Sequence, residues 1–136
     1  MTIAFFVPST PRPGGSKRYV GHGRIIEDCK KNKDWRACVA LSAFEHFPSP
    51  LLGALSVAIT FYMPRPKGHF RKDGSLKPKA PMYHTTKPDT TKLVRSTEDA
   101  LTGIAWHDDA QVVEQRASKR YATATVGAMV EIGAVE

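Results

Sequence analysis

The sequence predicts a small α+β domain, with elements in the order β-α-β-α-β-β and helices packed on one face of a mixed sheet. Three observations carry this reading. Residues 54–62 alternate with period two, and residues 33–47 and 90–102 place apolar side chains at helical spacing. Two further strand-like stretches, 110–121 and 123–133, close the chain. At 136 residues, 41% of them apolar, the chain suits one domain, 1–136, with a modest core.

Each element has a local reason. Residues 2–7 (TIAFFV) are rich in strand formers. In 33–47 the stripe Trp35, Cys38, Leu41 and Phe44 marks the buried side of a first helix. In ALSVAITFY (54–62), Leu55, Val57, Ile59 and Phe61 face one side of a strand. In the second helix, 90–102, Asp89 is a favoured N-cap whose oxygen can accept from an open backbone N–H. Gly103 is placed to end it. Its buried stripe is Leu93, Thr97, Ala100, Leu101 and Ile104. Segments 110–121 and 123–133 read as a final strand pair, with Val126, Ala128, Val130 and Ile132 facing inward.

Composition narrows the function classes. No apolar run reaches the length of a membrane span. The strand-like N-terminus, MTIAFFVPSTP, lacks a basic leader region and a cleavage site, and reads as mature sequence. Cys29 and Cys38 lack metal-knuckle spacing and read as reduced thiols of a cytosolic protein. The five histidines show no metal spacing either.

A net charge of +7 points to an anionic partner, most simply nucleic acid. All but three of the twenty Lys and Arg fall in residues 12–36 and 65–95. These segments contain the Gly/Pro-rich stretches PSTPRPGGSKRYVGHGR and MPRPKGHFRKDGSLKPKAP, which read as flexible basic loops over about 9–32 and 64–87. Lys17, Arg18, Arg71, Lys72, Lys79 and Lys92 are the candidate DNA-backbone contacts. Phe70, between His69 and Arg71, is the one aromatic placed to stack on a base, although packing of its loop explains it more simply.

Against this background, residues 96–115 hold five acids and no Lys or Arg. Asp89, just ahead of this stretch, and four of the acids within it each have a plain explanation. Asp89 can be only a cap, Glu98 and Asp99 can pair with Arg95 along the helix, and Asp108-Asp109 can be only a turn. The group is harder to dismiss. Carboxylates beside DNA phosphate are repelled unless a cation lies between them, and hard oxygen ligands suit Mg²⁺. A basic surround with an acidic centre is the pattern of a metal-dependent nuclease. Thr91, Arg95 and Glu98, at i, i+4 and i+7, share one side of the second helix, away from its buried stripe, and are exposed or line a site.

The run KPDTTKLVRSTEDALTG, followed by HDDAQVV, resembles the signature of the RusA-type Holliday junction resolvases, small endonucleases of phages and prophages. Asp89, Leu93, Arg95, Asp99-Ala100-Leu101-Thr102 and Asp108-Asp109-Ala110-Gln111-Val112 match that pattern in register. The resemblance implies metal-binding, catalytic carboxylates at Asp89 and Asp109. Asp108 is then an adjacent acid, either a ligand or a turn residue, and Arg95 the catalytic cation at the phosphate. It also implies Mg²⁺ (or Mn²⁺) as cofactor, branched DNA, the four-way junction, as substrate, a homodimer, and the cytoplasm of a bacterial host as the setting.

One position departs. The family's second acid of D-x-D is Thr91 here. Three readings stay open: Thr91 acts through a water on the metal, Glu98 compensates from the same face, or the protein binds junctions and cleaves poorly. A non-enzymatic nucleic-acid-binding module explains the charge equally well but not the acidic cluster. A phage scaffold protein with incidental charge is the third class. A carboxylate-dependent metal effect separates the nuclease from both.

Overall fold

The structure, a computed structural model, describes residues 2–15 and 34–135. Lys17, Arg18, His22 and Cys29, and most of the first basic segment, lie outside the described residues. The class is α+β, as the patterning predicts. Strands β1 (Thr2–Val7), β2 (Leu55–Met63), β3 (Val112–Tyr121) and β4 (Gly127–Ala134) form one sheet, with helices α1 (Trp35–Phe44) and α2 (Thr90–Leu101) between them in sequence.

The sheet order is β1-β4-β2-β3. β4 runs antiparallel to both β1 and β2, while β3 runs parallel to β2 after the α2 crossover. This corrects one expectation. β3 and β4 are consecutive but not paired, because β4 inserts between β1 and β2. The link between them passes the end of β2, where Ala122 N–H donates to Met63 O (2.8 Å). Gly127, at the far side of that link, lies so close to the β1 backbone that a Cβ would collide with Val7 O and the Phe6 ring.

Burial follows the predicted phases in the strands. Leu55, Val57, Ile59, Phe61 and Met63 are buried, as are Ala128, Val130 and Ile132. In α1 the predicted stripe is only half right. Trp35 and Cys38 are buried, but Leu41 is half-buried and Phe44 is 61% exposed. Val39, Ala40 and Ala43 take the core side instead, and Phe47, beyond the helix, supplies the aromatic that Phe44 does not. The reason is that α1 packs against both β1 and α2, so its buried face is wider than one stripe and is built of small residues. Asp34 caps α1, accepting from Ala37 N–H (3.2 Å).

Two links fix α2 against α1. Trp35 Nε1–H donates to Thr97 Oγ1 (3.1 Å), and the Thr97 hydroxyl donates to Leu93 O (2.8 Å), all in the buried layer. Outside that layer, Arg36 meets Asp99 (3.2 Å) and Ser96 Oγ (3.3 Å). Gly103, at φ +92°, sits just past the α2 C-cap, Thr102, in the conformation that favours glycine.

The 64–87 segment is stitched to the body rather than left bare. Its stretch 82–84 runs along the outer edge of β3: Tyr121 N–H donates to Met82 O, His84 N–H donates to Lys119 O, and Tyr83 bridges Arg120. Arg65 donates to Pro81 O (2.8 Å) and lies over the Tyr121 ring. The C-terminal end of this edge strand is thereby covered, and Arg71, Lys72 and Lys79 project into solvent on the loop beyond it.

Candidate active site

Helix α2 begins where the β2–α2 loop rises from the sheet edge. Asp89 is its N-cap, with extended backbone, but its side chain makes no capping hydrogen bond, contrary to the simple reading of that residue. Its carboxylate is 62% exposed and lies 3.9 Å from Lys92 Nζ, a loose surface pair. The group is therefore not consumed by the fold.

One turn on, Thr91, Arg95 and Glu98 line a cleft of about 380 Å³ together with Asp99, Asp109 and Gln115. Thr91 and Arg95 are exposed, and Arg95 makes no ion pair among the described residues. Glu98 lines the cleft from a buried position, at 8% exposure. Its Oε2 accepts from Gln115 Nε2 at 2.6 Å. Loss of hydration pushes its pKa up; the Gln115 bond opposes this, and the negative charges of Asp109 and Asp99 add to the rise. Neither helical pair with Arg95 dominates: Asp99 turns to Arg36, and Glu98 to Gln115.

Asp109 enters from a short turn, Asp109–Gln111, before β3. That turn is held from both sides. Asp108 Oδ1 accepts from Ala110 N–H (2.9 Å). Gln111 Oε1 accepts from His107 N–H and Asp108 N–H, and its Nε2 donates to Leu51 O and Gly53 O at 3.0 Å each. Asp108 thus commits an oxygen to the turn, which leaves the neighbouring Asp109 carboxylate exposed at the cleft.

The structure brings Asp109, Arg95, Thr91 and Glu98 to one cleft. It places Asp89 on the lip of an adjoining recess at the head of α2, not on the cleft wall. Among the described residues no three carboxylate, imidazole or thiol groups converge on one point. The donor chemistry still suits Mg²⁺. That ion is bound through one or two carboxylates, keeps several waters and takes further oxygens from substrate phosphate. Every side chain on offer here, Asp109, Glu98, Thr91 and Asp89, presents oxygen.

Sequence reasoning missed Lys119 and Gln115, and gave Gln111 no role beyond its place in the matched run. Lys119 faces inward on β3, and its Nζ donates to Thr86 O and Pro88 O at 2.6 Å each, directly behind Asp89. A lysine in the inward phase of a strand was the available signal. Gln115, in the same phase, supports Glu98, and Gln111 locks the Asp108-Asp109 turn. Of the candidate DNA contacts, Arg71, Lys72, Lys79 and Lys92 are exposed on the described surface.

Comparison with known proteins gives two findings. A family model described as endodeoxyribonuclease RusA matches residues 8–133. A Bacillus subtilis (strain 168) protein, "Uncharacterized protein YqaN", is 35% identical over 114 residues, which is 81% of this chain and 78% of that protein.

Proposed function

Because the chain belongs to the RusA endodeoxyribonuclease family, we propose that it is a divalent-metal-dependent endonuclease that resolves four-way DNA junctions in recombination and repair. The observation that carries this reading is the cleft itself: exposed Asp109 and Arg95 together with a supported, buried Glu98.

The roles follow from the side chains. Asp109 and Asp89 are the carboxylates for Mg²⁺ or Mn²⁺; Glu98 and Thr91 are the further oxygen donors within the cleft. Asp89 is free to turn toward the cleft, since no cap bond holds it. When bound, the cation supplies Lewis-acid stabilisation of phosphate charge and makes water a better nucleophile. Arg95 donates in a fork to the non-bridging phosphate oxygens, a geometry Lys cannot reproduce. Water attacks phosphorus, one P–O ester bond breaks, and the leaving sugar oxygen takes a proton. Gln115 fixes the Glu98 carboxyl, and the Gln111-locked turn fixes Asp109. Arg71, Lys72, Lys79 and Lys92 hold backbone phosphates, contacts that position without reading sequence.

A junction has two-fold symmetry and must be cut on two strands, so a homodimer with two such sites is the economical assembly. The setting is the cytoplasm of a bacterial host, with a phage or prophage as source. Thr91 favours a second reading, a junction-binding protein with impaired cleavage, because it contributes no charge where the family pattern has an acid.

The test is a cleavage panel on a labelled four-way junction and a linear duplex, with chelator, Mg²⁺ or Mn²⁺. Nicks are expected only with metal and only on the branched substrate. Equal cutting of linear duplex would sink the junction assignment. Tight binding with no nicks in either metal would favour the second reading.

A further inference from the structure

The recess at the head of α2 is separate from the cleft. It has a volume of about 510 Å³ and lies between residues 10–13, the end of β2, residues 84–88 and the α2 start. Its size falls in the range of small-molecule and base-sized sites. Its walls carry Pro11, Pro13, Pro64 and Pro88. Proline has no backbone N–H, so these walls lack the donors of an anion cradle and offer flat apolar surface instead. The cations are Arg12, Lys87 and Lys92, all exposed, with Asp89 on the same lip. The Thr10 hydroxyl and the His84 ring are its uncharged polar groups. Nδ1 of His84 is buried and has no hydrogen-bond partner among the described residues, and its Nε2 lies 3.2 Å from Thr86 Oγ1, so the ring presents mainly its carbon surface to the recess.

An apolar slot with one hydroxyl on its wall, ringed by cations and opening beside a carboxylate of the proposed site, matches one nucleotide of a DNA strand. We propose that this recess takes one unstacked nucleobase of the strand that runs past Asp89, with the flanking phosphates on Arg12, Lys87 and Lys92. The inference rests on the DNA-cleaving function proposed above and adds a substrate requirement to it. Unstacking costs least where pairing is already broken, so a base pocket beside the reacting phosphate favours the centre of a branch over continuous duplex. It also makes cleavage sensitive to the identity of one base, whose edge the Thr10 hydroxyl would meet.

The test uses the full chain with Asp109→Asn and four-way junctions carrying 2-aminopurine at each nucleotide around the branch point in turn. Saturating protein should raise emission severalfold at one position per strand cut, and an abasic site at that position should weaken binding about tenfold or more. Thr10→Phe, which narrows the recess, should abolish the rise while the junction still binds. Should that variant fail to fold, the double change Arg12→Ala and Lys87→Ala, at exposed positions, should reduce it instead. A rise that survives narrowing of the recess puts the unstacked base elsewhere and overturns the inference. So does an equal response to a free deoxynucleoside monophosphate, which would make the recess a mononucleotide site. Cleavage by the unsubstituted protein of junctions that show no emission change overturns the recess alone. Failure to bind junctions at all removes the functional reading beneath it as well.

Discussion

Replacing Lys119 with methionine keeps the length of the side chain and removes its charge and donors. In the structure, Lys119 Nζ donates to Thr86 O and Pro88 O at 2.6 Å each, and these carbonyls lie just ahead of Asp89. Hydrogen bonds to a charged group contribute about 1.5–3 kcal/mol net. Thr86 is exposed, so water replaces that bond readily, and the bond to half-buried Pro88 dominates. A loss of about 2 kcal/mol in holding residues 86–89 is the result, equivalent to about thirtyfold in the population with Asp89 in place. The effect is local. A loss carried in full into global unfolding would lower Tm by about 6–10 °C for a chain of this size, and a loss confined to residues 86–89 by less. The assay is junction cleavage across a Mg²⁺ titration, beside thermal melts. Lys119→Met should raise the Mg²⁺ midpoint and lower cleavage at low metal by about thirtyfold, with saturating metal recovering part of it. Lys119→Arg, which can still donate to both carbonyls, should recover most of the activity. Unchanged metal dependence in Lys119→Met would refute the idea that Lys119 positions Asp89. An equal loss in Lys119→Met and Lys119→Arg would point to packing instead.

Three further outcomes are expected. Thr97→Val keeps shape but strands the buried Trp35 N–H, so stability should fall by about 1–3 kcal/mol, read by chemical denaturation, with no change in metal dependence. Burial raises the folded pKa of Glu98 above its ordinary value, so its contribution to stability is full below the unfolded pKa and fades as pH rises through the folded one. Glu98→Gln should therefore melt higher than the unsubstituted protein at neutral pH, with the gap closing in acid in parallel melts; a gap that grows in acid would reverse the sign of this reasoning. Arg71→Ala, Lys72→Ala and Lys79→Ala together should flatten the dependence of log Kd on log salt by about 0.9 for each phosphate no longer neutralised, with little change in single-turnover cleavage of bound junction.

Patterning reaches the sheet phases because period-two burial in β2 and β4 is a local property. Leu55 through Met63 and Ala128 through Ile132 declare their inward face without reference to neighbours. Strand pairing is not local: that β4 slips between β1 and β2 depends on the whole chain, and adjacency of 110–121 and 123–133 in sequence suggests a pair that does not exist. α1 shows the same limit. Phe44 looks like core on a one-stripe helix and is exposed because α1 has two packing partners, which small residues such as Ala40 and Ala43 accommodate.

The site divides along the same line. The side of α2 shared by Thr91, Arg95 and Glu98 follows from helical spacing, and the structure places all three on one cleft. What spacing does not reveal is who supports them. Glu98 is held in its buried position by Gln115, seventeen residues away, which donates to it; Asp99 is drawn to Arg36, sixty-three residues away. Asp89 reads as a cap in the sequence, yet its side chain leaves the cap empty, and the Lys119 bonds hold its segment from behind. The separation of Asp89 from the cleft wall also has no sequence signature, since both acids belong to the same short motif.

The most direct measurement compares the unsubstituted protein with Asp109→Asn on one labelled mobile four-way junction in Mg²⁺, following binding and cleavage together. Paired nicks across the branch point from the former, and junction binding of equal affinity without nicks from the latter, are the predicted result. Nicks of equal rate from both would mean that the acidic cleft is not where the chemistry occurs, and would contradict the account at its centre.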